Sequence, residues 1–267
     1  MAIRVCLAGA TGWAGSELAR SIAATSDLTL TAAVSRTHAG RSLGEVLGDP
    51  RLTMCPVWSS ATEALASPCD VFVEYTKPDV ARANVLTALE CGAHVVLATS
   101  GLTDSDLAEF DTVARQRHRG VLACANFSLT AVLLQRFAKA AAKLIPHWEI
   151  VEYAHADKVD APSGTARELA DRLSRVRHAE PTVPIDKTVG IPEARGALLP
   201  GSQVHSVRLP GYVIGIEIIF GMPDERLTIR HDAGSGARPY VDGALLAIRK
   251  VSGLVGVRRG LDSVLDV

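Results

Sequence analysis

Short apolar runs alternate with stretches of helical spacing over the first half of the chain. Residues 3–7 form a compact apolar run, which predicts a buried strand. Gly9-Ala10-Thr11-Gly12-Trp13-Ala14-Gly15 follows at once, and residues 16–24 then carry Leu18 and Ile22 four apart, the spacing of a helix. Further strands are expected over 28–34, 71–75, 94–98 and 121–125, with helices over 78–90 and 103–117. Pro78 suits a first helical turn and Gly92 the position just past a helix end. Alternating β and α elements imply a parallel sheet covered by helices.

The second half changes character. Helices are expected over 129–144, 164–176 and 240–250, and a strand over 148–155. Residues 177–200 are rich in Pro and Gly without a clear period and read as a long loop. Strand-like runs follow at 204–209, 213–220 and 226–231, separated by Pro210-Gly211 and Gly221-Met222-Pro223-Asp224, both turn chemistry. Consecutive strands with short turns predict an antiparallel or mixed sheet. The expected fold class is therefore α/β for the first domain and α+β for the second, with a boundary near Asn126.

Composition narrows the function. The 267 residues carry 28 Lys plus Arg and 29 Asp plus Glu, a net charge of −1. That balance gives no support to nucleic-acid binding or to a polybasic membrane role. No stretch approaches the roughly 18 to 20 apolar residues of a membrane helix, and the N-terminus reads as a strand, not a signal peptide. Aromatic residues are only 4%, so the core must be built mostly from Ala, Val, Leu and Ile. Cys6, Cys55, Cys69, Cys91 and Cys124 are scattered and odd in number. Neither a disulfide scaffold nor a metal site is expected, and a reducing cytoplasm fits.

Gly9-x-x-Gly12-x-x-Gly15 lies between an expected strand and an expected helix. A tight turn there aims backbone N–H groups and the helix dipole at a pyrophosphate, which points to a bound dinucleotide; the alternative is an ordinary strand-to-helix turn. A cofactor lacking a 2′-phosphate favours an acid at the end of the second strand. The chain instead reads Ser35-Arg36, which favours NADPH over NADH unless Arg36 is simply a solvated loop residue.

The stretch richest in chemistry is 152–166. His155 and Lys158 stand three apart at a strand end, ahead of a Pro162-Ser163-Gly164-Thr165 turn that opens a helix. The helix start offers N–H groups to an anion. Lys158 has the chemistry to donate a proton or pair with a carboxylate, and His155 titrates near neutral pH. Composition alone fits either as a surface residue equally well.

On these residues the chain resembles the 4-hydroxy-tetrahydrodipicolinate reductases, also called dihydrodipicolinate reductases. The resemblance rests on Gly9 to Gly15, Glu74-Tyr75-Thr76-x-Pro78, Ala98-Thr99-Ser100-Gly101-Leu102, Ala125-Asn126-Phe127-Ser128, and above all Lys158-Val159-Asp160-Ala161-Pro162-Ser163-Gly164-Thr165-Ala166. Residues 205–211 and 227–232 complete it. It implies a cytoplasmic homotetramer of lysine and diaminopimelate synthesis that reduces a cyclic unsaturated imine dicarboxylate with NAD(P)H. Residues 1–126 with 239–267 would form a Rossmann-like dinucleotide-binding domain, and residues 127–238 a substrate-binding and oligomerisation domain. Lys158 and His155 would be catalytic. They would bind substrate together with Ser163, Gly164, Thr165 and Arg238. The cofactor would meet Gly9, Ala10, Thr11, Gly12, Trp13, Gly15, Ser35, Arg36, Tyr75, Thr76, Ser100 and Phe127, and, around the nicotinamide, Thr99, Gly101, Asn126 and Ser128.

Four positions depart from the family pattern, one of them Tyr75 in place of the usual Phe, an exchange of flat aromatics that should be tolerated. Ala154 stands where the family usually has the His assigned as general acid, Trp13 where an Arg is frequent, and Gly215 where a polar residue is usual. Two other readings therefore stay open: a diverged NADPH-dependent imine reductase acting on another imino acid, and a non-catalytic NADPH-binding regulator. Retention of Lys158 argues against the second.

Overall fold

The computed structural model describes residues 1–99 and 101–265. Along the chain run β1 (Ile3–Ala8), α1 (Trp13–Ile22), β2 (Leu28–Val34), α2 (Leu43–Leu47), β3 (Val57–Trp58), α3 (Ala61–Ala64), β4 (Val71–Glu74), α4 (Pro78–Glu90), β5 (His94–Leu97), α5 (Asp104–Gln116), β6 (Gly120–Ala123), α6 (Leu129–Ala142), β7 (His147–Ala154), α7 (Gly164–Ser174), β8 (Ala197–Leu199), β9 (Ser202–Arg208), β10 (Ile214–Met222), β11 (Glu225–Ala233), α8 (Val241–Lys250) and β12 (Gly256–Arg259). They divide into two compact units, Met1–Leu129 with Ala237–Val267, and Thr130–Gly236. The joins lie slightly inside the second domain expected from sequence, which puts Arg238 with the first unit. Among the described residues no helix is long and apolar enough to cross a membrane.

The first unit is a seven-stranded sheet in the order β12-β6-β5-β4-β1-β2-β3, with every pair parallel. Its strands are apolar runs because helices cover the sheet: Val5, Cys6, Leu7 and Ala8 are each fully buried. After β1 the chain lays β2 and β3 on one side, then crosses to lay β4 on the other. The ends of β1 and β4 are thus neighbours, Ala8 opposite Glu74. Ligands of open α/β sheets bind at such a reversal of strand order. Four short elements escape the sequence reading: α2, α3, β3 and β12. Two-residue β3 and Gly256-Val257-Arg258-Arg259 are too short or too polar to show a period; they are ordered by pairing with β2 and β6.

The second unit is a mixed five-stranded sheet in the order β11-β10-β7-β9-β8. Its central β7 runs parallel to β9 and antiparallel to β10. Strict alternation puts Trp148, Ile150, Glu152 and Ala154 on the buried face. There Trp148 and Ile150 pack with Leu134, Ala138 and Ala142 of α6 and with Ala166, Leu169 and Leu173 of α7. The long connection after α7 holds short 3-10 turns at Ile185–Lys187 and Pro192–Arg195, then β8.

Candidate active site

In the first unit the glycine loop is shaped by backbone collisions. Gly9 sits at φ +79°, and a Cβ there would run into the Tyr75 carbonyl. A Cβ on Gly15 would strike the Gly9 carbonyl and come within 3.1 Å of the Ala10 Cα. Only glycine permits this closeness. The Gly12 N–H donates to the Gly9 carbonyl at 3.0 Å, and Gly12 caps α1 without a side-chain hydrogen bond. The N–H groups of the first α1 turn therefore lack intrahelical partners and receive no side-chain cap. That geometry fits a dinucleotide pyrophosphate. Buried Ala10 backs the loop.

At the end of β2, Thr11 Oγ1 meets Ser35 Oγ at 3.0 Å, and Ser35 meets Thr37 at 3.3 Å. Arg36 is exposed beside them. Trp13 is 60% exposed, but its indole meets the Tyr240 ring. Arg238, two residues before that tyrosine, donates to Ser21 Oγ at 3.3 Å, lies 3.9 Å from Asp242 and stays largely exposed.

Two residues expected at the cofactor, Thr76 and Thr99, meet on a buried carboxylate that was not among the candidate site residues. Glu74 is completely buried at the end of β4. It accepts hydrogen bonds from the Thr76 N–H at 2.7 Å, the Thr76 hydroxyl, Asn84 Nδ2 at 2.8 Å and Thr99 Oγ1 at 3.4 Å. Burial pushes its carboxyl above the ordinary value, against the pull of those hydrogen bonds. Thr99 also donates to the Thr76 carbonyl at 3.1 Å. Tyr75 packs against Phe127 with ring centroids 5.9 Å apart. Asn126 Oδ1 accepts from the Ser128 N–H at 2.8 Å, which sets the turn after β6. Gly101 takes φ +87°, and Ser100 lies outside the described residues.

In the second unit β7 ends at Ala154, and the signature loop crosses to α7. His155 pairs with Asp157, and Lys158 Nζ with Asp160. Lys158 is three-quarters buried, whereas His155 is about half exposed. Ser163 caps α7, accepting from the Ala166 N–H at 3.3 Å. The N–H groups of Gly164 and Thr165, in the first turn, have no partner within the helix. A cation and an uncommitted helix start thus lie on one short loop, suited to a carboxylate. Ala154 is 2% exposed and carries no proton to give.

Beneath the loop lies a second buried carboxylate, at a glutamate whose residue type on a strand suits a structural role but whose partners only the fold reveals. Glu152, 1% exposed, accepts from the Ser163 N–H at 2.8 Å, Ser206 Oγ at 2.7 Å and Arg208 Nη2 at 2.7 Å. Burial alone would raise its pKa; the three hydrogen bonds outweigh it and hold the carboxyl below the ordinary range. The signal was available: an acid stands in phase with Trp148 and Ile150 on a buried strand face, and such a charge requires a partner. His231 and His205 sit elsewhere on the sheet, with Thr130 at 3.0 Å and Glu149 at 2.8 Å respectively.

Family models match nearly the whole chain: dihydrodipicolinate reductase N-terminus over residues 3–127 and C-terminus over residues 130–265. A 4-hydroxy-tetrahydrodipicolinate reductase of Moorella thermoacetica is 38% identical over 264 residues, 99% of this chain and 98% of that one. One of Oceanobacillus iheyensis is 36% identical over 266 residues, 99% and 100%. Among solved structures, a dipicolinate-bound dihydrodipicolinate reductase of Paenisporosarcina sp. TG-14 superposes with TM-score 0.90 at 30% identity, covering 99% of this chain and 100% of that one. An amine dehydrogenase of Mycobacterium smegmatis, at TM-score 0.66 and 16% identity over 96% and 94%, shares the fold alone. With both halves matched and the glycine loop, the buried Glu74 turn and the Lys158-to-Thr165 loop each in place, the chain belongs to the dihydrodipicolinate reductase family.

Proposed function

We propose that this protein reduces 4-hydroxy-tetrahydrodipicolinate to tetrahydrodipicolinate with NAD(P)H, in lysine and diaminopimelate biosynthesis. The carrying observation is the placement of Lys158 on the loop that leads into the Ser163-capped start of α7. That arrangement suits a small dicarboxylate, the class of ligand held by the Paenisporosarcina relative. Bound on the glycine loop, the reduced nicotinamide supplies the hydride.

The chain's own residues do the rest. Gly9, Ala10, Thr11, Gly12, Trp13 and Gly15 hold the pyrophosphate, Thr99, Gly101, Asn126 and Ser128 line the nicotinamide, and Tyr75, Thr76 and Phe127 also serve the cofactor. Ser35 and Arg36 receive a 2′-phosphate, which makes NADPH the preferred cofactor and NADH the weaker one. The N–H groups of Gly164 and Thr165, with the Ser163 cap, bind one carboxylate, and Arg238 binds the other. Lys158 contacts the substrate and delivers the proton that accompanies the hydride, and the 4-hydroxyl departs as water, so that one hydride and one proton enter and one water leaves. His155 resupplies that proton, since Ala154 removes the acid usual in the family. The working form is a cytoplasmic homotetramer.

Ala154 also favours a second reading, reduction of a different imino acid with the same cofactor. One experiment separates the two: NADPH oxidation by the purified protein, with substrate generated in place by a dihydrodipicolinate synthase, beside a panel of other imino acids. Turnover on the order of 1 to 10³ per second on the dipicolinate substrate supports the proposal. Turnover only on another imine establishes the second reading, and NADPH binding without any turnover leaves the protein a regulator.

A further inference from the structure

We propose that Glu152 and Arg208 are a buried positioning pair that holds the Lys158-to-Thr165 loop in the shape a dicarboxylate needs, with Arg208 also cancelling the charge by which Glu152 would repel it. The inference rests on reading that loop as the carboxylate site.

Parallel pairing of β7 with β9 sets Ser206 opposite Glu152 and Arg208 opposite Ala154. All four therefore share one face of the sheet, directly under the loop. One oxygen of Glu152 collects the Ser163 N–H at 2.8 Å, the Ser206 hydroxyl at 2.7 Å and Arg208 Nη2 at 2.7 Å. The same Nη2 donates to the Asp160 carbonyl at 2.7 Å. One ion pair thus grips the main chain of the loop at two points, Asp160 and Ser163. Asp160 passes the constraint on through its carboxylate to Lys158. Ser163 passes it on to α7 by capping the helix. The cation and the helix start are held relative to each other by a rigid strand, not by the loop alone.

Such a pair is a costly way to gain stability. Two desolvated charges seldom outperform apolar side chains of the same size, and β7 itself offers apolar Trp148, Ile150 and Ala154 on the same face. The guanidinium fork and the carboxylate instead provide directed contacts to loop backbone that no Leu or Ile could make. The electrostatics point the same way. Glu152 stays ionised and bonds the N–H immediately before the α7 first turn. A substrate carboxylate on Gly164 and Thr165 would meet the field of that negative charge, which water cannot hydrate directly because Glu152 is buried. Arg208, with its side chain 15% exposed against 2% for Glu152, supplies the compensating charge from the strand side.

The test is dipicolinate titration by calorimetry at two salt concentrations, with NADPH affinity and thermal unfolding measured alongside. Arg208→Gln is expected to weaken dipicolinate roughly tenfold or more, the scale of a lost charge-assisted contact, with NADPH affinity unchanged. Added salt should weaken binding to the wild type and to this variant alike, since it cannot screen the buried Glu152, so the deficit of the variant should persist at both concentrations. The double variant Glu152→Gln with Arg208→Gln should bind dipicolinate better than Arg208→Gln alone. Arg208→Lys, which keeps the charge and loses the fork, should fall between wild type and Arg208→Gln; it carries the test if the glutamine variant does not fold. In turnover, KM for the substrate should rise more than kcat falls. Lys158→Ala serves as the reference. If Lys158→Ala weakens dipicolinate while both Arg208 variants bind it as the wild type does, the pair is structural and the inference fails. If the wild type does not bind dipicolinate, the carboxylate reading fails and takes the inference with it.

Discussion

The indole of Trp13 meets the ring of Tyr240 edge to face, with centroids 5.8 Å apart and planes at 64°. This contact ties the glycine loop to the chain entering α8, at a position where the family often carries an arginine. An edge-to-face pair adds about 1 kcal/mol beyond the area it covers, and Trp13 covers little, being largely exposed. Trp13→Ala should therefore lower the urea unfolding free energy by about 1 kcal/mol while leaving the fold intact. An unchanged midpoint would show that the ring contact contributes nothing.

Gly15→Ala places its Cβ against the Gly9 carbonyl and at 3.1 Å from the Ala10 Cα. Neither backbone atom can rotate away, so the loop must open. NADPH affinity should fall at least tenfold, equivalent to about 1.4 kcal/mol. Gly12→Ala is the graded comparison, since its Cβ meets only the Gly9 carbonyl at 3.3 Å, and it should weaken NADPH less. Titration by nicotinamide fluorescence reads both; equal affinities for Gly15→Ala and wild type would remove the loop from cofactor binding.

Replacing Arg36 with Ala or Asp should weaken NADPH more than NADH, with Asp the stronger effect because it offers an acceptor to a ribose hydroxyl. The expected change is about tenfold in the ratio of the two affinities, the scale of one charge-assisted hydrogen bond. A constant ratio would leave Arg36 as a solvated loop residue.

Glu74 gives the first unit a pH dependence of defined sign. Burial raises its carboxyl above the ordinary 4.5, and the hydrogen bonds from Thr76, Asn84 and Thr99 only partly oppose that. The folded chain then holds this proton more readily than the unfolded chain does. Stability falls as pH rises from 4.5 through the raised value, and the loss persists above it. Glu74→Gln does not ionise, so its unfolding free energy should decline less over that window. Parallel curves for wild type and variant, from denaturant titrations between about pH 4 and pH 8, would contradict the assignment.

Lys158→Ala should lower kcat far more than it weakens NADPH binding, because its side chain lies on the loop proposed to hold the substrate. Ala154→His asks whether proton supply limits the rate. A positioned acid is worth about 10² to 10⁴ in rate, so kcat should rise even though an imidazole at a buried alanine costs about 1–3 kcal/mol in packing. A stable Ala154→His protein with unchanged kcat would show that Lys158 and His155 already suffice.

The outline of the fold was open to reading because its periods are local. β1, β2, β4 and β5 are apolar runs bounded by turn residues, and α4 is announced by Pro78 and closed before Gly92. The Lys158-to-Thr165 segment was equally plain, since its residue types and spacing carry their chemistry on their face. Where the period was too short to show, in β3 and β12, nothing local marked a strand. Those two exist because a neighbouring edge offers a ladder of backbone partners.

Glu152, Arg208 and Glu74 mark the other limit. Each could be seen as a charge at a buried phase of a strand or strand end. Nothing in the residue order says that Arg208, fifty-six positions away, lies one step along the ladder from Glu152. Nor does it say that Asn84, Thr76 and Thr99 converge on Glu74. Residue order alone specified the longer strands and helices, the glycine turn and the chemical groups on the signature loop, because propensity, period and turn chemistry act between near neighbours. The partners of the buried charges came from strand register and sheet order. Those are settled only when the whole core packs, since an ion pair buried away from water must find its complement wherever the sheet happens to bring it.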